Sequence, residues 1–183
     1  MSKQFKIVFL VGMPGTGKTF LGKYAAHKLG VKFIDLDEEV TKHYNVSIAE
    51  IFKEKGETEF RLIEIEVLKK VIRGCKANTD TIIATGGGTP CYNNAIDLMN
   101  ETGITVWLDA PSDYIYENIL ADNPDRPLFN ETKTEQLKKK LNEMQAQRIK
   151  FYSRSKLKVS VYKGLSPDLF TNTLHLSTFA PGV

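Results

Sequence analysis

The chain has 183 residues, 42% hydrophobic and 26% charged, and its 25 Lys and Arg against 22 Asp and Glu leave a formal charge of +3. That length suits one domain spanning residues 1–183, and so small an excess argues against nucleic acid as the main partner while leaving a few cations for an anionic ligand. The apolar run Ile7–Val11 is too short to span a bilayer, no secretory signal is visible, and Cys75 and Cys91 form no Cys-x-x-Cys unit, so a monomeric cytoplasmic protein with reduced thiols and no membrane partner is expected.

In chain order, Phe5–Val11 reads as a buried strand ended by Gly12. Thr19–Leu29 reads as a helix, with Gly30 just past its end. Lys32–Leu36 is a second strand. Ser47–Phe52 and Glu57–Ile72 read as helices separated by Gly56, the second with an apolar stripe through Phe60, Ile63, Val67, Leu68, Val71 and Ile72. Thr81–Ala84 is a third strand, running into Gly86-Gly87-Gly88, and Ile104–Leu108 a fourth. Asp113–Leu120 is helical. Pro124 and Pro127 make 122–131 a loop. Leu137–Tyr152 is a long polar helix, Leu157–Val161 a fifth strand and Pro167–Leu176 a closing helix. Short apolar strands alternating with helices predict an α/β fold, a parallel sheet covered on both faces.

Gly12-Met13-Pro14-Gly15-Thr16-Gly17-Lys18-Thr19 fits G-x-x-x-x-G-K-[ST] between a strand and a helix. Glycines let the backbone wrap inward so that successive N–H groups point at phosphate oxygens, and the helix presents its positive end to the same anion. Lys18 can reach the β- and γ-phosphates, and the Thr19 hydroxyl can bind Mg²⁺. Gly12, Gly15, Thr16, Gly17, Lys18, Thr19 and the adjoining Phe20 are the expected ATP-binding set. An Asn-Lys-x-Asp guanine signature is missing from the sequence, which disfavours a GTPase. A proline-broken loop at 122–131 suits a lid over ATP.

Asp35 and Asp37 close the second strand, where carboxylates two residues apart project to one side. One could hold Mg²⁺ through water, and the other could orient or deprotonate a substrate hydroxyl; alternatively, Asp37 simply caps the following helix. Arg61 is either a ligand-binding cation or a solvated helix residue. Gly86, Gly87 and Gly88 either offer bare N–H donors to a ligand or form a flexible turn. Arg126, between the lid prolines, either meets the transferring phosphate or is a surface charge. Arg148 either grips a carboxylate bidentately or lies on a solvated helix face.

These motifs, in order, resemble the shikimate kinases. The resemblance runs from about Lys6 to Tyr152 and rests on the phosphate loop 12–19, Asp35-Leu36-Asp37, Ser47–Phe52, Gly56-Glu57 with Phe60-Arg61 and Glu64, Ala84–Pro90, Val106-Trp107-Leu108, Arg126-Pro127-Leu128, and Arg148 with Tyr152. It implies a three-layer fold with a five-stranded parallel sheet in the order 2-3-1-4-5, an acceptor-binding region near 35–64, and transfer of the ATP γ-phosphate to the 3-hydroxyl of shikimate. It implies catalytic roles for Lys18, Asp37 and Arg126, and Mg²⁺ held by Thr19 with Asp35 behind it. Shikimate would bind through Asp37, Arg61, Gly86, Gly87, Gly88 and Arg148. Two places depart from the pattern. Ile119–Asp125 lacks the basic residue that stacks on adenine, and Ser155-Lys156-Leu157 stands where Ala-Asp is common. A gluconate-type kinase, or a nucleotide-binding module without turnover, are the rival readings.

Overall fold

A computed structural model describes residues 6–75, 79–121 and 134–179. The lid loop 122–131, and Arg126 within it, lie outside these described residues.

Five strands form one parallel sheet in the order β2-β3-β1-β4-β5. They are β1 (Ile7–Val11), β2 (Lys32–Asp35), β3 (Thr81–Ala84), β4 (Ile104–Asp109) and β5 (Leu157–Ser160). Each lies within two residues of its expected position. β1 and β3 are buried along their whole length, as a strand covered on both faces requires. The edge strand β5 alternates between half-buried and exposed residues.

Helix α1 (Lys18–Leu29) follows β1 and ends at Gly30, whose φ of 65° is the left-handed turn expected there. Helix α2 (Leu36–Tyr44) begins at once after β2. Its N-cap is Asp35, whose Oδ1 accepts from the Asp37 backbone N–H. That corrects the alternative in which Asp37 was the cap: the helix starts two residues earlier, which places Asp37 in its first turn. Helix α3 (Ile48–Cys75) is kinked at Gly56 (φ 76°, ψ 176°), so the two expected helices are distinct runs in one element. Ser47 and Glu50 close its start as a reciprocal capping box, and these bonds hold the Glu50 carboxyl below its ordinary range.

Helix α4 (Ala95–Thr102) was not anticipated. It is only eight residues long and is entered through Asn93 and Asn94, both at positive φ. Helices α5 (Ser112–Ala121) and α6 (Thr134–Tyr152) follow the expected pattern. The last helix, α7 (Pro167–Leu174), is capped by Ser166 and gives way to a wider turn over His175–Phe179, shorter than the Pro167–Leu176 expected.

The core gathers on both faces of β1, β3 and β4, where Val8, Phe9, Leu10, Ile82, Ile83, Val106 and Leu108 are wholly buried. Among the described residues no helix is long and apolar enough to cross a membrane. Because β1 lies between β3 and β4, the chain leaving it enters the crevice at the carboxyl ends of the strands, where connections diverge to either side. Open parallel sheets bind ligands there.

Candidate active site

The loop after β1 adopts the backbone that its glycines permit. Gly12, Gly15 and Gly17 have φ of 143°, 79° and 85°, values that side chains with a Cβ rarely adopt. Neighbouring elements hold the loop from behind. Asn118 of α5 donates to the Gly15 carbonyl at 2.8 Å, and the buried Thr16 hydroxyl donates to the Met13 carbonyl at 2.9 Å. The Lys18 ammonium is buried and donates to the carbonyls of Gly12 (2.9 Å) and Met13 (2.8 Å), so it lies along the loop's own curve. At the start of α1, the Thr19 hydroxyl donates to Asp35 Oδ2 at 2.7 Å. One carboxylate therefore caps α2 with one oxygen and holds the Thr19 hydroxyl with the other.

On the opposite side, Arg61 is not a solvated helix residue. Only 8% of it is exposed, because α3 turns it inward. Its Nη1 donates to Glu64 Oε2 at 2.9 Å and its Nη2 to Glu57 Oε1 at 3.0 Å. Burial opposes the guanidinium charge, but Glu64 and then Glu57 outweigh it and hold the group above its ordinary pKa. Glu64 is itself buried and accepts a 2.5 Å hydrogen bond from the Thr89 hydroxyl.

The triple glycine is not a loose turn. A Cβ on Gly88 would lie 2.4 Å from Arg61 Nη2, one on Gly87 would lie 2.6 Å from Pro14 Cδ, and one on Gly86 would lie 2.7 Å from Glu64 Oε1. Glycine is needed here for close approach: this segment fits between the phosphate loop and the Arg61–Glu64 pair. Tyr152, fully buried at the end of α6, donates to the Gly87 carbonyl at 2.6 Å and fixes the segment from below. Burial pushes the Tyr152 phenol well above its ordinary pKa, so it stays a donor. Arg148, one turn earlier, is half-buried. Its Nη1 and the Nε of Arg61 are buried with no hydrogen-bond partner among the described residues.

All of this opens onto one cleft of about 670 Å³. Gly15, Gly17, Lys18, Thr19 and Phe20 line one end, and Asp35, Asp37, Arg61, Gly86, Gly87, Gly88 and Arg148 line the rest. Residues separated by well over a hundred positions thus share one wall. Gly12 and Thr16 are not among the lining residues and serve the loop from behind.

Residues 14–176 match the family model for shikimate kinase. A shikimate kinase from Azobacteroides pseudotrichonymphae is 34% identical over 167 residues, covering 91% of this chain and 96% of its own. The chain belongs to the shikimate kinase family. Two solved shikimate kinases share its fold. The protein from Bacteroides thetaiotaomicron superposes with a TM-score of 0.87 at 29% identity, over 94% of this chain and 97% of that one. The protein from Acinetobacter baumannii, solved in complex with shikimate, gives 0.82 at 28% identity over 94% and 93%. As a member of the shikimate kinase family the chain is an ATP-dependent kinase, and its strand order is the one that the resemblance implied.

The shikimate kinase cleft is also supported by residues to which sequence reasoning gave no role. Glu57 and Glu64 fall at helical spacing from Arg61, a pattern that does signal an ion-paired face. Thr89, behind Glu64, and Tyr152, behind Gly87, carried no such signal, because their partners are distant in sequence.

Proposed function

We propose that this chain transfers the γ-phosphoryl group of ATP to the 3-hydroxyl of shikimate, giving shikimate 3-phosphate and ADP. The observation that carries this reading is the pairing, across one cleft, of a phosphate loop with two buried guanidinium nitrogens, Arg61 Nε and Arg148 Nη1, that have no hydrogen-bond partner among the described residues. A buried unpaired donor is costly, and a carboxylate-bearing acceptor would satisfy both.

In this reading the glycine-loop N–H groups and Lys18 neutralise the phosphate oxygens. The Lys18 ammonium exchanges its bonds to the Gly12 and Met13 carbonyls for bonds to phosphate. Thr19 and Asp35 would hold Mg²⁺. The fit is good: two hard oxygens 2.7 Å apart at the loop's edge suit an ion that keeps several waters and takes few protein ligands. When bound, the ion spreads the negative charge of the β- and γ-phosphates. Asp37 accepts the hydrogen bond of the attacking hydroxyl and orients it in line. Arg61 and Arg148 grip the carboxylate, and the backbone of Gly86–Gly88 borders the ring. Arg126 would reach the transferring group from the 122–131 loop, closing the site to water. The protein would act in the cytoplasm as a monomer.

The test is an ADP-release assay with ATP and Mg²⁺, comparing shikimate, gluconate and no acceptor, with Lys18→Met as a control. Release with shikimate alone, lost in Lys18→Met, is expected. Release with gluconate instead, or full activity in Lys18→Met, would contradict the reading.

A further inference from the structure

The segment after the triple glycine folds back onto Arg61 from outside the cleft. The Tyr92 ring lies over the Arg61 guanidinium, with its centroid 4.6 Å from the central carbon. The Tyr92 hydroxyl donates to Glu57 Oε1 at 3.1 Å. That same oxygen accepts from Arg61 Nη2 at 3.0 Å, so Tyr92, Glu57 and Arg61 form a closed triangle. Next to it, the Asn93 side-chain amide donates to the Arg61 backbone carbonyl at 3.0 Å. Asn93 does this from φ 50°, a left-handed conformation that asparagine tolerates better than most residues. The Gly88 backbone lies close against the guanidinium as well.

Arg61 is therefore held by its backbone, by the Tyr92 ring, which lies nearer its central carbon than those of Phe60 (5.0 Å) and Phe52 (5.9 Å), and by a carboxylate that the Tyr92 hydroxyl holds in place. Tyr92 is not among the residues lining the cleft and is 39% exposed. A core role does not account for it, since more than a third of its surface meets water and its polar end meets an exposed glutamate.

We propose that Tyr92, with Asn93, is a positioning residue that fixes the Arg61 guanidinium for the acceptor carboxylate, and so sets acceptor affinity without touching the acceptor. This rests on the acceptor reading above. A long arginine side chain loses rotamer freedom when it grips a ligand. A ring and a fixed carboxylate that have already ordered it lower that cost, as preorganisation generally does.

The test is steady-state kinetics on Tyr92→Ala and Tyr92→Phe, each also in an Arg61→Ala background. Tyr92→Ala should raise the shikimate KM on the order of tenfold, the scale of one partly desolvated cation–π contact. Its kcat and ATP KM should stay within about twofold, and its melting temperature within a few degrees. Tyr92→Phe keeps the ring and should recover most of the affinity. In the Arg61→Ala background the Tyr92 change should add little, because its effect runs through the missing guanidinium. An unchanged shikimate KM in Tyr92→Ala, or the same loss with and without Arg61, would overturn the inference and leave the acceptor reading standing. Failure of the wild-type chain to phosphorylate shikimate would overturn both.

Discussion

At the scale of single residues, the cleft is a set of charges whose partners decide what each can do. Arg61 arrives with two glutamates. Among the described residues, Arg148 is a cation of the acceptor side with a buried terminal nitrogen that has no hydrogen-bond partner. Truncating it should therefore act on the acceptor and little else. We expect Arg148→Ala to raise the shikimate KM about 30-fold or more, the scale of losing a charged partner in a desolvated site, with the ATP KM nearly unchanged. A rise confined to the ATP KM would remove Arg148 from the acceptor side. Glu64 should behave differently. Deleting this buried carboxylate leaves the buried Arg61 charge with only the half-exposed Glu57 as its carboxylate partner among the described residues, at a cost of roughly 3 kcal/mol. Glu64→Ala should therefore lower the melting temperature by about 6 °C or more, readable by calorimetry; an unchanged melting point would mean that water can reach Arg61.

Cys91 adds a pH dependence. Burial pushes its thiol up from an ordinary 9.0 to about 11, although Arg148 partly offsets this. Folding thus favours the protonated form. That contribution is fully present below pH 9 and is lost as the pH rises through about 11. Timed labelling at pH 8 should modify Cys91 far more slowly in the folded protein than in urea. Equal rates would contradict the burial.

At the scale of elements, Asp35 shows how one side chain serves fold and site together. It ends β2, caps α2 and accepts the Thr19 hydroxyl. Asparagine caps as well as aspartate but carries no charge. Asp35→Asn should therefore keep the melting temperature while raising the Mg²⁺ needed for half-maximal rate. Asp35→Ala should in addition lose about 1 kcal/mol of helix capping, or roughly 2–4 °C. Equal Mg²⁺ requirements in wild type and both variants would take Asp35 out of the metal site.

The same element shows what a sequence carries and what it does not. The strands were legible because apolar runs bounded by glycine are local. The reading of Asp37 as cap placed the start of α2 two residues late, because the cap depends on where β2 stops pairing, which β3 decides. Helix α4 was missed because eight residues hold barely two turns of periodicity. The triple glycine could be seen at once, but not its purpose. Whether it loops freely or packs tightly depends on Pro14, arriving from the phosphate loop, and on Arg61 and Glu64, arriving from α3. Likewise Arg61 and Arg148 carry no mark of burial in their own helices, and Tyr152 none of its bond to Gly87.

At the scale of the whole molecule, the parallel sheet gathers the site. With β1 between β3 and β4, the phosphate loop, the end of β2 and the glycine segment after β3 all emerge at the same edge of the sheet. Helices α3 and α6 then bring Arg61 and Arg148 across to them. Composition and periodicity pointed to a parallel sheet covered on both faces. The strand order followed from the resemblance, since nothing in a strand's own pattern names its neighbour.

The central claim is the acceptor and the hydroxyl that receives the phosphate. It is tested most directly by ³¹P NMR of the product formed from ATP, Mg²⁺ and shikimate. We predict one new phosphomonoester resonance, coupled to the ring proton at position 3 and growing in step with ADP. ADP appearing with inorganic phosphate alone, or a phosphoester on another hydroxyl, would contradict the account.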